Sequence, residues 1–265
     1  MATALESNKA KIAKRVIEVF EFFDNNNSRA TVMDIVRQYG RPQSSTSELL
    51  ASLVEMGLLY KDARSRTYTP TPRLATLGSW AQPDIIRSGQ LFAFMDRMAQ
   101  SSRHSVALFG MVGTHAQIFR WAPGAFKLDE SIGCGMSERL SSTTVGHLLL
   151  STLPSDESGK VLRRLNAEGA EEEKFSYSAM VERVQIFQRQ GHATGDVGFS
   201  VPANVTAVLL PQVEGERPLA LGVIYPADSA VDAGALATTL KGGVDECRTD
   251  RPREIAPSPS LIRAV

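Results

Sequence analysis

The sequence predicts an α+β protein of two domains. Within the first 80 residues, apolar residues recur at helical intervals in three short segments, and two strand-like segments follow them. The later chain mixes strand-like segments with segregated helices, which is typical of an antiparallel sheet with helices packed on it. We place a first domain at residues 1–80, a linker helix at 81–100, a second domain at 101–248 and a loose tail at 249–265.

The composition allows two packed cores and argues against several classes of protein. A chain of 265 residues with 43% apolar residues is long enough for two modest domains and is not wholly disordered. No apolar run approaches the ~18 residues that cross a bilayer, and no secretory signal opens the sequence, so we expect a cytoplasmic protein without a membrane partner. Cys134 and Cys247 are more than a hundred positions apart, which favours neither a disulfide framework nor a thiolate metal cluster.

The charge is balanced overall but unevenly distributed. The chain has 29 basic and 29 acidic residues, so its average charge indicates neither a nucleic-acid nor a membrane partner. Residues 1–80 carry 11 Lys and Arg against 8 Asp and Glu, and the remaining residues carry 18 against 21. A small basic segment therefore precedes a larger, slightly acidic one, and this division suggests two different roles.

Two helices are predicted before residue 41. The first has a single apolar stripe and ends in the turn-forming run 24–28. The second begins after Thr31, a good N-cap residue, and is broken by the turn residues of 40–42. The first stripe consists of Ile12, Val16, Val19, Phe20 and Phe23, and the second of Val32, Ile35, Val36 and Tyr39.

The third predicted helix opens with short polar side chains, at 43–48, and buries Leu50, Leu53 and Val54. Polar residues at a helix start usually serve only as caps. Here they follow a helix, a short second helix and a tight turn within fifty residues, which is the helix-turn-helix arrangement. In that arrangement the last helix enters the major groove N-terminus first, and short hydroxyl and amide side chains can approach phosphates and base edges.

A basic hairpin is predicted after the third helix. The segments 58–60 and 67–69 are predicted strands, and Lys61, Arg64 and Arg66 lie in the polar tip between them. Such cations in isolation are most simply a solvated loop. After three helices, two strands with a basic tip predict a winged helix whose wing contacts the DNA backbone or the minor groove.

The first domain resembles the IclR family of bacterial transcriptional regulators. The resemblance rests on the Gly-Arg-Pro-Gln-Ser-Ser-Thr run at 40–46, the paired leucines Leu49 and Leu50, and the Glu-Met-Gly-Leu exit at 55–58. Glu48 departs from the family, which often has Arg just before the paired leucines; a carboxylate there repels phosphate but can accept a hydrogen bond from cytosine N4. The resemblance implies a linker helix, here predicted from Asp84 to Gln100, and a dimer formed through the DNA-binding half, which suits a palindromic operator.

The second domain resembles the effector-binding domain of the same family, which is a GAF-like sheet with helices. The segments that carry the resemblance are 143–150, 189–196, 208–211 and 220–223. Strands are predicted at 105–109, 115–121, 206–210 and 219–225, and helices at 142–153, 156–168 and 178–190.

The resemblance also implies a pocket for a small organic acid or aromatic catabolite. Ala207, Gly222 and Ile224 stand where relatives often have Cys and two Ser, so a more apolar pocket and an apolar or aromatic effector are expected. Val145 belongs to the same predicted pocket, although any one of these residues is more simply structural. The remaining polar candidates are Thr143, Thr144, Asp196 and Cys134.

An enzyme is not indicated. Cys134 lies between glycines, but the four histidines offer no spacing that identifies a base for a thiolate or a metal site. No phosphate-binding or dinucleotide-binding glycine motif is present, so we expect no metal and no cofactor.

The sequence therefore predicts a regulator that binds double-stranded operator DNA as a dimer or tetramer and responds to a small effector. The runner-up is a ligand-sensing protein whose winged helix mediates protein contacts, and a third option is an enzyme with a winged-helix appendage. The predicted DNA-binding residues are Arg41, Gln43, Ser44, Ser45, Ser47, Lys61, Arg64 and Arg66.

Overall fold

The chain forms two compact units that divide between Gln82 and Pro83. The computed structural model describes residues 8–23, 27–126, 132–212 and 215–249. The predicted loose tail beyond Thr249 and the predicted turn residues Asp24, Asn25 and Asn26 lie outside the described residues.

The first unit contains three helices, a hairpin and a further short helix, in that order. The hairpin strands pair antiparallel, with Tyr60 opposite Thr69. A short 3-10 turn, Ser79–Ala81, ends the unit. The elements are α1 (Asn8–Glu21), α2 (Val32–Tyr39), α3 (Gln43–Glu55), β1 (Leu59–Lys61), β2 (Tyr68–Pro70) and α4 (Pro72–Gly78).

One small core holds these elements together. Leu50 and Leu53 of α3 are fully buried, and they pack in one cluster with Val19 of α1, Ile35 of α2 and Tyr68 of β2. Apart from Ile12 and Val36, the residues of the predicted stripes therefore belong to this cluster. Ile12, which was predicted to be part of the first stripe, is 55% exposed because it lies in the part of α1 that precedes the core contacts.

Local chemistry sets the ends of α2 and the position of the hairpin. Thr31 and Asp34 form a reciprocal capping box, and Gly40 ends the helix with a left-handed φ of 61°. The backbone groups of Ala30 exchange hydrogen bonds with those of Tyr68, at 2.7 and 3.1 Å. The sequence did not predict this bridge, which pairs Ala30 with β2 of the hairpin. It also brings the neighbouring residue 29 to the hairpin.

The helix predicted from Asp84 to Gln100 is broken in the structure. α5 (Asp84–Arg87) and α6 (Gln90–Ser102) are separated by Gly89, whose φ of 75° is the left-handed conformation that glycine adopts at little cost. The buried face of α6, which includes Leu91, Met95 and Met98, belongs to the core of the second unit. The predicted linker helix is therefore in large part a core element.

The second unit is built on a six-stranded sheet in which every neighbouring pair is antiparallel. The strands are β3 (Ser105–Val112), β4 (His115–Ala122), β5 (Ser137–Arg139), β6 (His192–Asp196), β7 (Ala203–Leu209) and β8 (Leu219–Pro226). Their order in the sheet is β5-β4-β3-β8-β7-β6. The four central strands are those predicted, whereas β5 and β6 were not among the predicted strands.

Helices cover both faces of this sheet, so its central strands are buried on both sides. On β3, Ala107 and Phe109 face the cluster that contains α7 (Thr144–Leu150), α8 (Ser155–Glu168) and α9 (Tyr177–Gln190). Val106 and Leu108 face the other cluster, with α6 and α10 (Ala233–Thr249). The α+β architecture is as predicted, and α10 was missed because its run of Ala, Gly and Thr is only weakly amphipathic. None of the helices in the described residues is long and apolar enough to span a membrane.

Candidate functional site

The exposed face of α3 carries the short polar side chains that the sequence singled out. Gln43, Ser44 and Ser47 are exposed, while Leu50 and Leu53 on the opposite face are fully buried. Thr46 is 2% exposed, and its hydroxyl donates to the carbonyl of Pro42 at 2.9 Å. The face available to a partner therefore excludes Thr46. It continues along the helix through Glu48, Ala51 and Ser52, which are also exposed.

Arg41 is tied to another helix, whereas the sequence predicted it as a DNA contact at the start of α3. Its guanidinium makes a two-pronged ion pair with Glu18 of α1, with Nη2 to Oε1 at 2.6 Å and Nε to Oε2 at 3.2 Å. The Glu18 side chain is only 13% exposed and the Arg41 side chain 38%, so the carboxylate is largely removed from water while the guanidinium is partly exposed. Arg41 thus joins the turn before α3 to α1, and its charge is already matched within the protein.

Ser45 is held by a residue that the sequence did not single out. Arg15 of α1 donates from Nη2 to the Ser45 hydroxyl at 3.1 Å, and that hydroxyl lies 3.3 Å from the Pro42 carbonyl. Arg15 is half-buried. A long cationic side chain from another helix therefore reaches the first turn of α3 from far away in sequence, which no local pattern could indicate.

The hairpin tip is ordered by its own polar groups. The carboxylate of Asp62 accepts the backbone N–H groups of Ser65 and Arg64, at 3.0 and 2.8 Å, and these bonds lower the pKa of Asp62 below its usual value. Arg66 has a left-handed φ of 56°, which closes the turn. The tip presents Lys61, Arg64 and Arg66 as exposed cations on a defined turn.

A fourth cation joins the hairpin through tertiary structure. Arg29 is exposed and lines one shallow depression with Lys61, Asp62 and Arg64. It arrives there because its neighbour Ala30 bridges to Tyr68. The hairpin, which consists of β1, β2 and the tip between them, is called the wing. With Arg29 beside it, the wing carries one more positive charge than its own sequence provides.

In the second unit, three of the predicted polar effector residues lie together. The Thr143 hydroxyl caps α7 by accepting the Gly146 N–H at 2.8 Å, and the Asp196 carboxylate accepts the Gly198 N–H at 2.9 Å. The two segments touch: a Cβ on Gly195 would lie 2.7 Å from the Thr144 hydroxyl oxygen. Thr143, Thr144 and Asp196 thus meet where the start of α7 approaches the end of β6.

The predicted apolar residues of the pocket are packed in the core and do not face an open cavity. Val145, Ala207 and Ile224 are fully buried in the cluster between the sheet and α7. A Cβ on Gly222 would lie 2.7 Å from Val205 and 3.3 Å from Phe109. These four residues are therefore packed against apolar neighbours, and their role as effector contacts stays a prediction.

Cys134 lies apart from the other candidates. Its thiol donates to the Phe119 carbonyl of β4 at 3.2 Å, at the β4–β5 end of the sheet, and it is exposed. Asp196 is on β6 at the opposite end. Four strand spacings separate β4 from β6, about 19 Å. Cys134 therefore does not belong to the cluster at α7.

The segment beside that cluster has an unusual backbone. Gly198, Phe199 and Ser200 all have left-handed φ values, of 80°, 56° and 55°. This turn places Phe199 in the core, 4% exposed, with its ring centroid 6.4 Å from that of Phe109. Non-glycine residues adopt this conformation only when the surroundings impose it. The turn and the rings of Phe109 and Phe199 therefore fill the core side of the place where α7 approaches β6.

The described residues offer no group of three His, Cys, Asp or Glu side chains that could hold a metal ion. His147 of α7 is 4% exposed, and its Nε2 donates to the Ser141 carbonyl at 2.9 Å. Burial and the nearby Arg183 lower the pKa of His147, so the ring is neutral at neutral pH.

Comparison with known proteins identifies the first unit. Residues 13–63 match the family model of the IclR helix-turn-helix domain, the domain with which IclR-family transcriptional regulators bind DNA. The match confirms the resemblance predicted for this part of the chain. A search of curated proteins found no significant match.

Solved structures show the same fold over about nine-tenths of the chain. IclR of Thermotoga maritima has 17% identity and a TM-score of 0.58, covering 90% of this chain and 98% of that one. An IclR transcriptional regulator from Alicyclobacillus acidocaldarius has 16% identity and a TM-score of 0.57, with 90% and 96% covered. An IclR homolog from Microbacterium hydrocarbonoxydans, complexed with 4-hydroxybenzoate, has 19% identity and a TM-score of 0.56, with 90% and 98% covered. The predicted two-part fold is thereby confirmed.

Proposed function

We propose that this protein is an IclR-type transcriptional regulator that binds duplex DNA with its first unit and a small organic effector with its second. The observation that carries the proposal is the exposed polar face of α3 beside a wing with Lys61, Arg64 and Arg66, within a domain that matches the IclR helix-turn-helix. The members of that family are transcriptional regulators and not enzymes. A regulator of this kind acts where the DNA is, in the cytoplasm.

In this proposal α3 reads the major groove and the wing holds the backbone. Gln43, Ser44 and Ser47 are exposed at the leading end of α3 and can reach base edges or phosphates. The wing cations neutralise phosphates and contribute affinity without sequence preference. Ser45 contributes through the hydroxyl that Arg15 holds, and Arg41 acts indirectly, since Glu18 matches its charge.

The test is a gel shift with the duplex that lies upstream of the gene, titrated with salt. We expect a shift that random duplex competes for poorly and that weakens steeply as salt rises. A protein that binds neither duplex at low salt would contradict the proposal and favour the hypothesis in which the winged helix contacts another protein.

We also propose that the protein is a dimer. Several large apolar side chains of the first unit are exposed, and apolar surface of this kind is often covered by a partner. Among them are Ile12, Ile17, Leu77 and Trp80, at 55%, 55%, 53% and 83% exposure. Light scattering on the full chain should give twice the monomer mass; four times that mass would show that dimers pair into tetramers, and a monomer would contradict the proposal.

For the effector we propose an aromatic acid, held between α7 and the end of β6. Thr144 and Asp196 supply polar groups at that place, and Phe109, Phe199 and Ile224 supply apolar surface behind it. The structural neighbour from Microbacterium hydrocarbonoxydans was solved with 4-hydroxybenzoate, which is of this class. Because the inner side is packed, an effector must displace side chains such as Phe199 to enter. Ligand binding shifts DNA affinity only to the extent that it favours one arrangement of the protein over another.

A thermal-shift panel on the full chain tests the effector class. We expect 4-hydroxybenzoate or benzoate to raise the melting temperature in a dose-dependent way. Pyruvate and 2-oxoglutarate are the matched polar ligands and should leave it unchanged. Stabilisation by the keto acids only would contradict the aromatic proposal and leave the DNA-binding proposal intact.

A further inference from the structure

This inference rests on the proposed function. Several cations lie near the start of α3, and their partners within the protein indicate which of them can contact the DNA backbone. The sequence pointed to Arg41, which precedes the helix by two positions. The structure shows Arg41 in a two-pronged pair with Glu18, whose side chain is 13% exposed. A cation that is already matched by a mostly buried carboxylate has little charge to offer a phosphate, because it would have to leave Glu18 unpaired.

Arg15 is placed differently. Its guanidinium reaches Ser45 in the first turn of α3, where it meets a neutral hydroxyl and not a carboxylate. A guanidinium has five N–H donors, so the one bond to Ser45 leaves others that can be directed to a phosphate. The neighbouring surface of α3 is the exposed face of Gln43, Ser44 and Ser47.

The same side of α1 carries further cations. Lys11 and Lys14 are exposed, and with Arg15 and Glu18 they occupy positions i, i+3, i+4 and i+7, which share one face of a helix. Since Glu18 pairs with Arg41, the positive charge of the other three residues is not cancelled by that carboxylate. These three cations are called the basic row of α1. The row includes Arg15, which reaches the N-terminal turn of α3, the end that a helix-turn-helix protein directs at DNA.

We propose that Arg15, flanked by Lys11 and Lys14, forms the phosphate contact beside α3, and that Arg41 is a positioning residue that contributes no net charge to it. The partner is the duplex DNA backbone. Arg15 would hold Ser45 and a phosphate at once, which fixes the register of α3 in the groove. The basic row of α1 would thus be a second place, besides the wing, where phosphates of the DNA backbone are neutralised. The row precedes α3 in the sequence and the wing follows it.

The experiment measures binding of the full chain to a random-sequence duplex of about 30 base pairs over a range of salt, because phosphate contacts need no operator. Each phosphate contact contributes about 0.9 to the slope of log affinity against log salt. We expect Arg15→Gln to make the slope shallower by about 0.9 for each bound protomer. Arg15→Lys should keep the slope, because it keeps the charge. Lys11→Gln with Lys14→Gln should also make the slope shallower.

Arg41 and Glu18 give the contrasting arms. Arg41→Gln should leave the slope unchanged and lower the melting temperature, because it leaves the enclosed Glu18 carboxylate without its partner. Glu18→Gln should leave the slope at least as steep as in the wild type, because it removes a negative charge beside the basic row of α1. Lys160→Gln, an exposed cation on α8 in the second unit, is the matched control and should change neither quantity.

The outcomes separate this inference from the proposed function. A wild-type protein that binds no duplex overturns the proposed function, and this inference with it. A wild-type protein that binds, with a slope lowered by Arg41→Gln and unchanged by Arg15→Gln, overturns this inference alone. An Arg15→Gln protein that melts at a lower temperature with an unchanged slope shows that Arg15 is only a structural clamp, which also overturns it.

Discussion

Gly222 on β8 lies so close to Val205 on β7 that a Cβ on the glycine would be 2.7 Å from the valine methyl group. Ala207 and Phe109 complete the contact, with the Cβ of Ala207 3.2 Å from the same point. The glycine is thus required by close packing between strands. The sequence analysis had placed Gly222 in a predicted apolar pocket on the basis of the family resemblance.

This contact predicts the effect of adding a methyl group. Gly222→Ala should lower the free energy of unfolding by about 1–3 kcal/mol, because the core cannot accept the added volume without moving Val205 or Phe109. Urea unfolding measures it. Gly242→Ala on α10 is the control: nothing lies within 4 Å of its Cβ position, and replacing a helical glycine should stabilise by about 0.5–1 kcal/mol. A Gly222→Ala protein as stable as wild type would mean that the space at this position is open.

His147 makes stability depend on pH. Its pKa is lowered by burial and by Arg183, whereas in the unfolded chain it has its ordinary value near 6.5. As pH falls below about 6.5 the unfolded state takes up the proton first, so stability should decrease until pH reaches the lowered pKa of the folded state, by at most about 1.4 kcal/mol per pH unit.

Urea unfolding at a series of pH values checks this prediction. Burial lowers the pKa of His104 in the same direction, so the wild-type slope contains both contributions. His147→Gln should remove the part of the slope that His147 contributes. Equal slopes in the wild type and His147→Gln would contradict the assignment.

The wing should contribute to affinity without sequence preference. Arg64→Ala combined with Arg66→Ala is expected to weaken binding to upstream and random duplex alike, because phosphate contacts carry no sequence information. The salt slope should become shallower by about 0.9 for each phosphate that the variant no longer neutralises. Lys160→Ala is the control. A double variant with the wild-type slope would remove the wing from the interface.

Glu48 should oppose binding to random DNA. It is exposed on the same face of α3 as Ser44 and Ser47, where a carboxylate repels phosphate. Glu48→Gln should therefore raise affinity for random duplex at low salt, in a fluorescence anisotropy titration. Glu55→Gln, at an exposed carboxylate at the far end of α3, should have a smaller effect. If Glu48→Gln instead lowers affinity for the upstream duplex alone, Glu48 reads a base, for which cytosine N4 is the suitable donor.

Much of the first unit could be predicted because its elements are local. The spacing of Val19, Ile35, Leu50 and Leu53 follows the helical repeat, and Gly40 and Thr31 mark helix ends through conformations and caps that need only neighbouring residues. The break at Gly89 was missed because the apolar repeat continues across it. In the second unit the four central strands were predicted from the sequence. β5, β6 and α10 were not, because their patterns are weak and their structure depends on what they pack against.

The sequence by itself determined the order of the helices and the wing, and the class of partner that such an arrangement serves, because helical repeats, caps and turns are set within a few residues. Only the tertiary structure decided which cations are already paired within the protein. Glu18 meets Arg41, Arg15 meets Ser45, and Arg29 joins the wing, in each case between positions that are distant in sequence. It also decided that Gly222 faces packed side chains, because the volume around a glycine is set by the neighbouring strands that pairing brings beside it.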